Sequence, residues 1–262
     1  MSPLPLSVCM VSGAEAARIG RALESVAGWT REIIVVLNEE VRDGTEEIAV
    51  QHGAKVFREP WKGMIAQKSS AAQKASSDWI LDLDADEEVS PELRQEIQTV
   101  LAQADCAAFS YPRLTSYCGR WIRHGDWYPD RQNRLWRRGR GQWGGTDPHA
   151  KLRVDGSVRK LTGDLRHYSH QSINHHIQKT IAFSDEFLRQ HSTANREAGL
   201  AHLTFRPFWR FFRGYVLRRG FLDGWQGYYI AKHIAFETLV RYAKLRAANI
   251  SPNSSQTMSS KD

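Results

Sequence analysis

With 262 residues and 41% hydrophobic content, the chain has ample apolar material for one large domain or two small ones, and its composition is that of an ordinary globular protein. Its three cysteines, Cys9, Cys106 and Cys118, lie far apart with no C-x-x-C pair, which argues against a disulfide framework or a cysteine zinc site and suits a reducing cytosol. The net charge of +7 is uneven, with 10 Lys+Arg against 18 Asp+Glu in residues 1–112, 13 against 5 in residues 113–166 and 9 against 2 in residues 205–246, so the rear suits phosphates, an anionic membrane face or nucleic acid unless it is merely solvated.

The N-terminal "MSPLPLSVCMVSGAEAARIG" has no positive leader segment, and no run of 18 apolar residues occurs, so export and membrane spanning are not expected. "LSVCMV" reads as a buried strand. Ser12-Gly13-Ala14-Glu15 has the spacing of a capping box, and the helix that should follow carries Ile19, Leu23 and Val26 on one stripe. Glu32–Leu37 is a near-continuous apolar run, as in a parallel sheet covered on both faces. A helix over Thr45–His52 closing at Gly53, a strand "AKVF", a helix over Ile65–Ala75 and a strand "WIL" complete an open α/β sheet of Rossmann-like logic. Ser90-Pro91 marks the start of another helix reaching about Gln103, followed by a strand near Ala107–Tyr111.

Residues 113–148 are rich in Arg, Trp and Gly and show no sustained period. Asp155-Gly156 in "AKLRVDGSVRKL" signals a hairpin. Ile173, Ile177 and Ile181 mark a helix, Pro207 to about Leu245 suggests two more, and the polar stretch from Ser251 reads as disordered. The expected organisation is a domain over residues 1–170, in halves 1–112 and 113–170, then a helical region 171–250 and a tail 251–262.

The densest chemical signal is "WILDLDADEEVSPEL", where Asp82, Asp84, Asp86, Glu87 and Glu88 crowd the carboxyl end of the fourth strand, the place where open α/β sheets bind ligands. Carboxylates that close repel one another, and a hard divalent cation with a phosphate ligand relieves the repulsion; an acidic lead-in to the next helix is the plain alternative. An EF-hand fails on spacing, since Glu87 stands where Gly is needed and Leu93 where Glu is needed.

"SVCMVSGAEAARIGRALESV", "EIIVV", "GAKVFREPWKGMIAQKSSAAQKASSDWILDLDADEEVSPEL", "GDLRHYSH" and "GFLDGWQG", taken together and in order, resemble the family-two glycosyltransferases of lipopolysaccharide-core type. The resemblance implies a GT-A fold, an open and mostly parallel sheet with helices on both faces plus a C-terminal helical segment. It also implies an inverting mechanism, Mg2+ or Mn2+, and a nucleotide-sugar donor, expected to be a UDP-sugar. It makes Asp84-Ala85-Asp86 the D-x-D pair, with Asp84 near ribose and metal and Asp86 on the metal, and adds His167 as a metal ligand. Gln67 and Lys68 match a donor-side Q-K pair. Ala14-Glu15 and Leu37-Asn38 depart from the family pattern, and Glu15 and Asp43 are retained as donor-side candidates.

Trp127, Tyr128, Asp130 and Arg134 offer aromatic faces and a guanidinium suited to a sugar ring and an anionic acceptor, and the resemblance puts them, with His149, on the acceptor side. The family often carries a glutamate after the histidine matching His149; here Ala150 stands there, so Asp147 in "GGTDPHAK" is the candidate base. His175 and His176, adjacent on a helix, are expected to be solvated. The expected partners are the donor and an anionic glycan or lipid-linked acceptor, with no nucleic acid. "FRPFWRFFRGYVLRRGFLDGWQGYYIAKHIAF" suits either the headgroup layer or burial as core helices, and with the first the expected location is cytoplasmic, peripheral on the inner membrane. A nucleotidyltransferase is the rival enzyme, although "VSGAEAARIG" lacks its glycine-rich phosphate loop, and a nucleic-acid-binding protein is the non-enzymatic rival.

Overall fold

The computed structural model describes residues 3–147, 149–170, 172–192 and 199–250, and the tail from Ser251 lies outside them. The chain divides into two compact units, Met1–Leu114 with Asp130–Tyr168, and Thr115–Pro129 with Ser169–Asp262.

In chain order come β1 (Leu4–Ser12), α1 (Ile19–Val26), β2 (Thr30–Asn38), α2 (Thr45–Gln51), β3 (Lys55–Glu59), α3 (Met64–Gln73) and β4 (Trp79–Asp82). Then come β5 (Glu87–Val89), α4 (Pro91–Leu101), β6 (Ala108–Tyr117), β7 (Arg120–Trp121), β8 (Asp130–Arg137), β9 (Gly141–Thr146), β10 (His149–Val154), β11 (Val158–Lys160) and β12 (Leu165–His170). The main sheet runs β3-β2-β1-β4-β8-β6-β12-β5, parallel across its first four strands and antiparallel from β4 to β8 and from β8 to β6.

Period two along the strands sorts the core onto two faces. Leu6, Val8 and Met10 of β1 and Trp79 and Leu81 of β4 pack with Ile19, Leu23 and Val26 of α1 and Leu93 and Ile97 of α4. Cys9, Ile34, Ile80 and Trp136 point the other way, onto Ala71 of α3 and Trp143 of β9. Asp82 shares the parity of Ile80, so it projects toward α3. Helix α4 starts as its sequence dictates, with the Ser90 hydroxyl accepting the Leu93 N–H at 3.1 Å and Pro91 at the first position.

Three local expectations are corrected. The capping box does not form: Ser12 ends β1, its hydroxyl bonds Gly13 O, and α1 begins only at Ile19, with Glu15 turned to Arg18. Asp155-Gly156 does not join a hairpin, because β10 pairs antiparallel with the preceding β9 while β11 pairs with β6. Residues 113–148, aperiodic in sequence, supply the end of β6 and then β7, β8 and β9, whose alternation is masked by arginines.

The second unit holds β7, a 3-10 turn over Gly125–Trp127, and helices α5 (Ile173–Ser192), α6 (Leu200–Leu203), α7 (Phe205–Phe212) and α8 (Gly224–Ile250). Helix α5 forms where expected, but its faces are reversed. Ile173, Ile177 and Ile181 are exposed, while His176, Thr180 and Ser184 are buried. The polar stripe is satisfied inside the unit: His176 Nδ1 lies 3.1 Å from the Tyr117 hydroxyl, Thr180 Oγ1 lies 2.5 Å from His233 Nε2, and Ser184 accepts from Lys244 at 2.8 Å. His176 is therefore not solvated. A side chain at Gly227 would collide with Gly220 O at 1.9 Å, so that glycine lets α8 approach the Gly220–Asp223 turn.

Candidate active site

The acidic cluster gathers at the carboxyl end of β4, and most of its charge is answered by the protein's own cations. Lys68, on the α3 face that meets β4, donates to Asp82 Oδ2 at 2.6 Å and to Asp84 Oδ1 at 2.7 Å. Arg134 of β8, the antiparallel neighbour of β4, donates from Nη1 to Asp84 Oδ2 at 2.7 Å and Glu87 Oε2 at 2.9 Å. Glu87 also accepts the Asp84 N–H at 3.0 Å, which closes the loop on itself, and faces Arg113 Nη1 at 3.4 Å. Glu88 takes Arg166 and the Tyr168 hydroxyl, at 2.8 and 2.7 Å.

These contacts set the electrostatics. Burial works against an ionised Asp84, but the Arg134 and Lys68 cations outweigh it and hold its carboxyl well below the usual carboxylate range. Burial likewise opposes a charged Lys68, and Asp82 with Asp84 override it, so its pKa rises. Repulsion within the acidic run is thus relieved largely by lysine and arginine, a solution that only the fold reveals.

Asp86 stands apart from that network. Its Oδ2 lies 3.6 Å from His167 Nε2 and 3.8 Å from Arg18 Nη1. Burial would raise its pKa, yet His167 and Arg18 bring it below the ordinary value. A hard carboxylate oxygen beside an imidazole nitrogen suits Mg2+ or Mn2+ held partly by substrate oxygens. Among the described residues no group of three or more His, Cys, Asp or Glu side chains is arranged to hold a metal ion.

The loops after β1 and β2 bring Glu15 and Asp43 together. Thr45 Oγ1 accepts the Glu15 N–H at 2.9 Å, and Asp43 accepts from Thr45 Oγ1 at 2.5 Å and from the Ala16 N–H at 3.1 Å. Gln67 is fully buried, and neither its Oε1 nor its Nε2 has a hydrogen-bond partner. A buried amide left so is costly and marks a place where a ligand or water belongs.

Asp147 Oδ1 accepts the Ile65 N–H at 2.9 Å in the first turn of α3, and a Cβ at Gly63 would meet Asp147 Oδ2 at 2.3 Å. The carboxylate thus sits against a glycine at the helix start, where the backbone comes close. Of the residues expected on the acceptor side, Arg134 is instead committed to Asp84 and Glu87, and Asp130 is paired with Arg113 at 2.9 Å. Trp127 belongs to the second unit, stacked on His170 with ring centroids 4.8 Å apart, and Tyr128 follows it there. The His149 side chain lies outside the described residues. The spacing of residues did not mark Arg134, Arg113 and Arg18 as the counter-ions of the acidic run; the pairing of β8 with β4 is what shows it for Arg134.

The family model "Glycosyl transferase family 2" matches residues 7–162. A glycosyltransferase of Rickettsia felis is 32% identical over 259 residues, covering 92% of this chain and 89% of its own. The lipopolysaccharide core biosynthesis glycosyltransferase LpsC of Rhizobium meliloti is 27% identical, covering 94% of this chain and 92% of its own. Among solved structures, the mannosyltransferase PcManGT of Pyrobaculum calidifontis, in complex with GDP-Man and Mn2+, superposes with a TM-score of 0.51 at 14% identity, over 95% of this chain and 88% of that one.

Proposed function

The chain belongs to glycosyl transferase family 2 and is a glycosyltransferase of GT-A fold; from that premise we propose that it is an inverting, divalent-metal-dependent enzyme that moves a sugar from a nucleotide sugar, a UDP-sugar in our reading, to a lipid-linked or anionic glycan acceptor of lipopolysaccharide-core type. The observation that carries this reading is the Asp86–His167 pair, 3.6 Å apart beside the ion-paired Asp84, at the carboxyl end of β4.

In this reading Asp86 and His167 hold Mg2+ or Mn2+, which when bound neutralises charge on the departing nucleoside diphosphate. Asp84, fixed by Lys68 and Arg134, presents a rigid edge to the donor ribose, and Gln67 gives its buried amide to the donor. Glu15 and Asp43 border the same side. Asp147 takes the proton of the acceptor hydroxyl, since Ala150 has no group to accept one. The acceptor oxygen then bonds the anomeric carbon from the face opposite the diphosphate, the C–O bond to the diphosphate breaks, and configuration inverts. In the same reading the enzyme works peripherally at the cytoplasmic face of the inner membrane, where its lipid-linked acceptor would be met; no helix of the described residues is long and apolar enough to cross a membrane.

The test is turnover of a panel of nucleotide sugars with a core-lipid acceptor, reading nucleoside diphosphate release and the anomeric configuration of the product. Inversion with one donor supports the proposal. A retained configuration, or no release with any donor, overturns it.

A further inference from the structure

Helices α5, α7 and α8 of the second unit line an open pocket of about 380 Å³ whose walls are aromatic, Phe205, Trp209 and Tyr242 among them, and whose polar lining is Thr238 with Arg206, Arg210 and Arg241. Each arginine is positioned. Arg206 lies 5.0 Å over the Tyr242 ring and bonds its hydroxyl, and Arg241 is ion-paired with Glu237. Arg210 reaches Asp126 at 3.5 Å, but that buried carboxylate already receives Arg213 at 2.8 Å and Arg218 at 3.1 Å.

Four of these arginines thus share two carboxylates, while Arg206 is held by the Tyr242 ring and hydroxyl. Burial holds Arg210 below its ordinary pKa, and Arg213 and Arg241 push the same way against both Asp126 and Glu237. Cations gathered with so little compensation are costly until an anion joins them, and planar guanidinium forks fit phosphate.

The rim of this pocket is apolar and open to solvent. Phe205 and Phe208 are 62% and 61% exposed, and Trp209 follows them on the same helix. Leu217, Phe221 and Trp225, in the residues after α7, are exposed as well. Phosphate alone calls for the arginines, whereas a bilayer calls for both the arginines and the bare aromatic rings. We propose that the Arg206–Arg210–Arg241 pocket binds the phosphate of an anionic phospholipid headgroup while Phe205 and Phe208 enter the headgroup layer around it. The site rests on the peripheral-membrane part of the proposed function and gives that association a chemical address.

Sedimentation of the full chain with vesicles tests it. Binding should occur to phosphatidylcholine vesicles containing phosphatidylglycerol and fade with salt, and should be far weaker to phosphatidylcholine alone. Arg206→Gln with Arg210→Gln should weaken binding about thirtyfold, at the usual worth of a cation near an anionic membrane. Asp126 keeps Arg213 and Arg218 in that variant. Phe205→Ser with Phe208→Ser, both solvent-facing, should also weaken it. Equal binding to both vesicle types, or unchanged binding by the arginine variant, would overturn the site. Full competition by free glycerol phosphate, with the phenylalanine variant behaving like the parent, would overturn the lipid source in favour of a soluble phosphate ester. Nucleoside diphosphate release with a delipidated core-oligosaccharide acceptor, without vesicles, should be the same in parent and variants; a parent that binds the anionic vesicles through these arginines yet releases no nucleoside diphosphate with any donor and acceptor would sink the transferase reading and leave the lipid site standing.

Discussion

Arg134 Nη1 lies 2.7 Å from Asp84 Oδ2, so Asp84 is clamped between an arginine from β8 and a lysine from α3. Removing the arginine leaves Asp84, Asp82 and Glu87 to share Lys68 and the more distant Arg113. Arg134→Gln should therefore destabilise the fold by about 3 kcal/mol, the scale for stripping one partner from a buried ion pair. Denaturant unfolding measures it; a change under about 0.5 kcal/mol would show that the clamp contributes little.

Asp86 plays a different part, with no lysine locked on it. Asp86→Asn keeps the shape and removes one anionic oxygen, so turnover should vanish while the unfolding midpoint stays within experimental scatter of the parent. Activity within a few-fold of the parent would remove Asp86 from the metal site.

For Asp147, the asparagine variant separates two roles. The side-chain oxygen of Asn can still accept the Ile65 N–H, so α3 keeps its start while the proton acceptor is lost. Asp147→Asn should lower kcat about a hundredfold or more at nearly unchanged donor affinity. Intact kcat would exclude it from catalysis, and a large loss of donor binding would make it a donor residue.

A fourth prediction concerns acid. Burial, with His233, Lys179 and His175 adding to it, pushes the His176 pKa down to about 3 from an ordinary 6.5. Between those values the unfolded chain binds a proton that the folded chain refuses, so stability complete above pH 6.5 drains as pH falls toward 3. The loss by pH 5 should be about 2 kcal/mol, read as a drop in Tm, and His176→Gln should flatten that slope. A parent Tm that holds steady from pH 7 to 5 would contradict it.

The parallel half of the sheet was readable because β1, β2 and β4 are continuous apolar runs and the Ser90-Pro91 cap is local. Local chemistry misled where another partner won: the Ser12 hydroxyl turns to Gly13 O and Glu15 to Arg18, so no capping box forms, and β10 folds back on β9 while β11 goes to β6, so Asp155-Gly156 joins no hairpin. On α5 the isoleucines marked the helix correctly, but His176, expected to be solvated, is buried, since Tyr117, His233 and Lys244 satisfy the polar side. The acidic run was legible as a site, but its counter-ions were not, because Lys68 and Arg134 lie 14 and 50 residues from the aspartates they meet.

The most direct measurement is calorimetric titration of UDP into the parent and Asp86→Asn proteins, each with Mn2+ and with chelator. The account predicts tight binding by the parent only when Mn2+ is present, and weak, metal-indifferent binding by the variant. Equal affinity in all four titrations would contradict the assignment of Asp86 and His167 as the pair that holds the metal against the donor diphosphate.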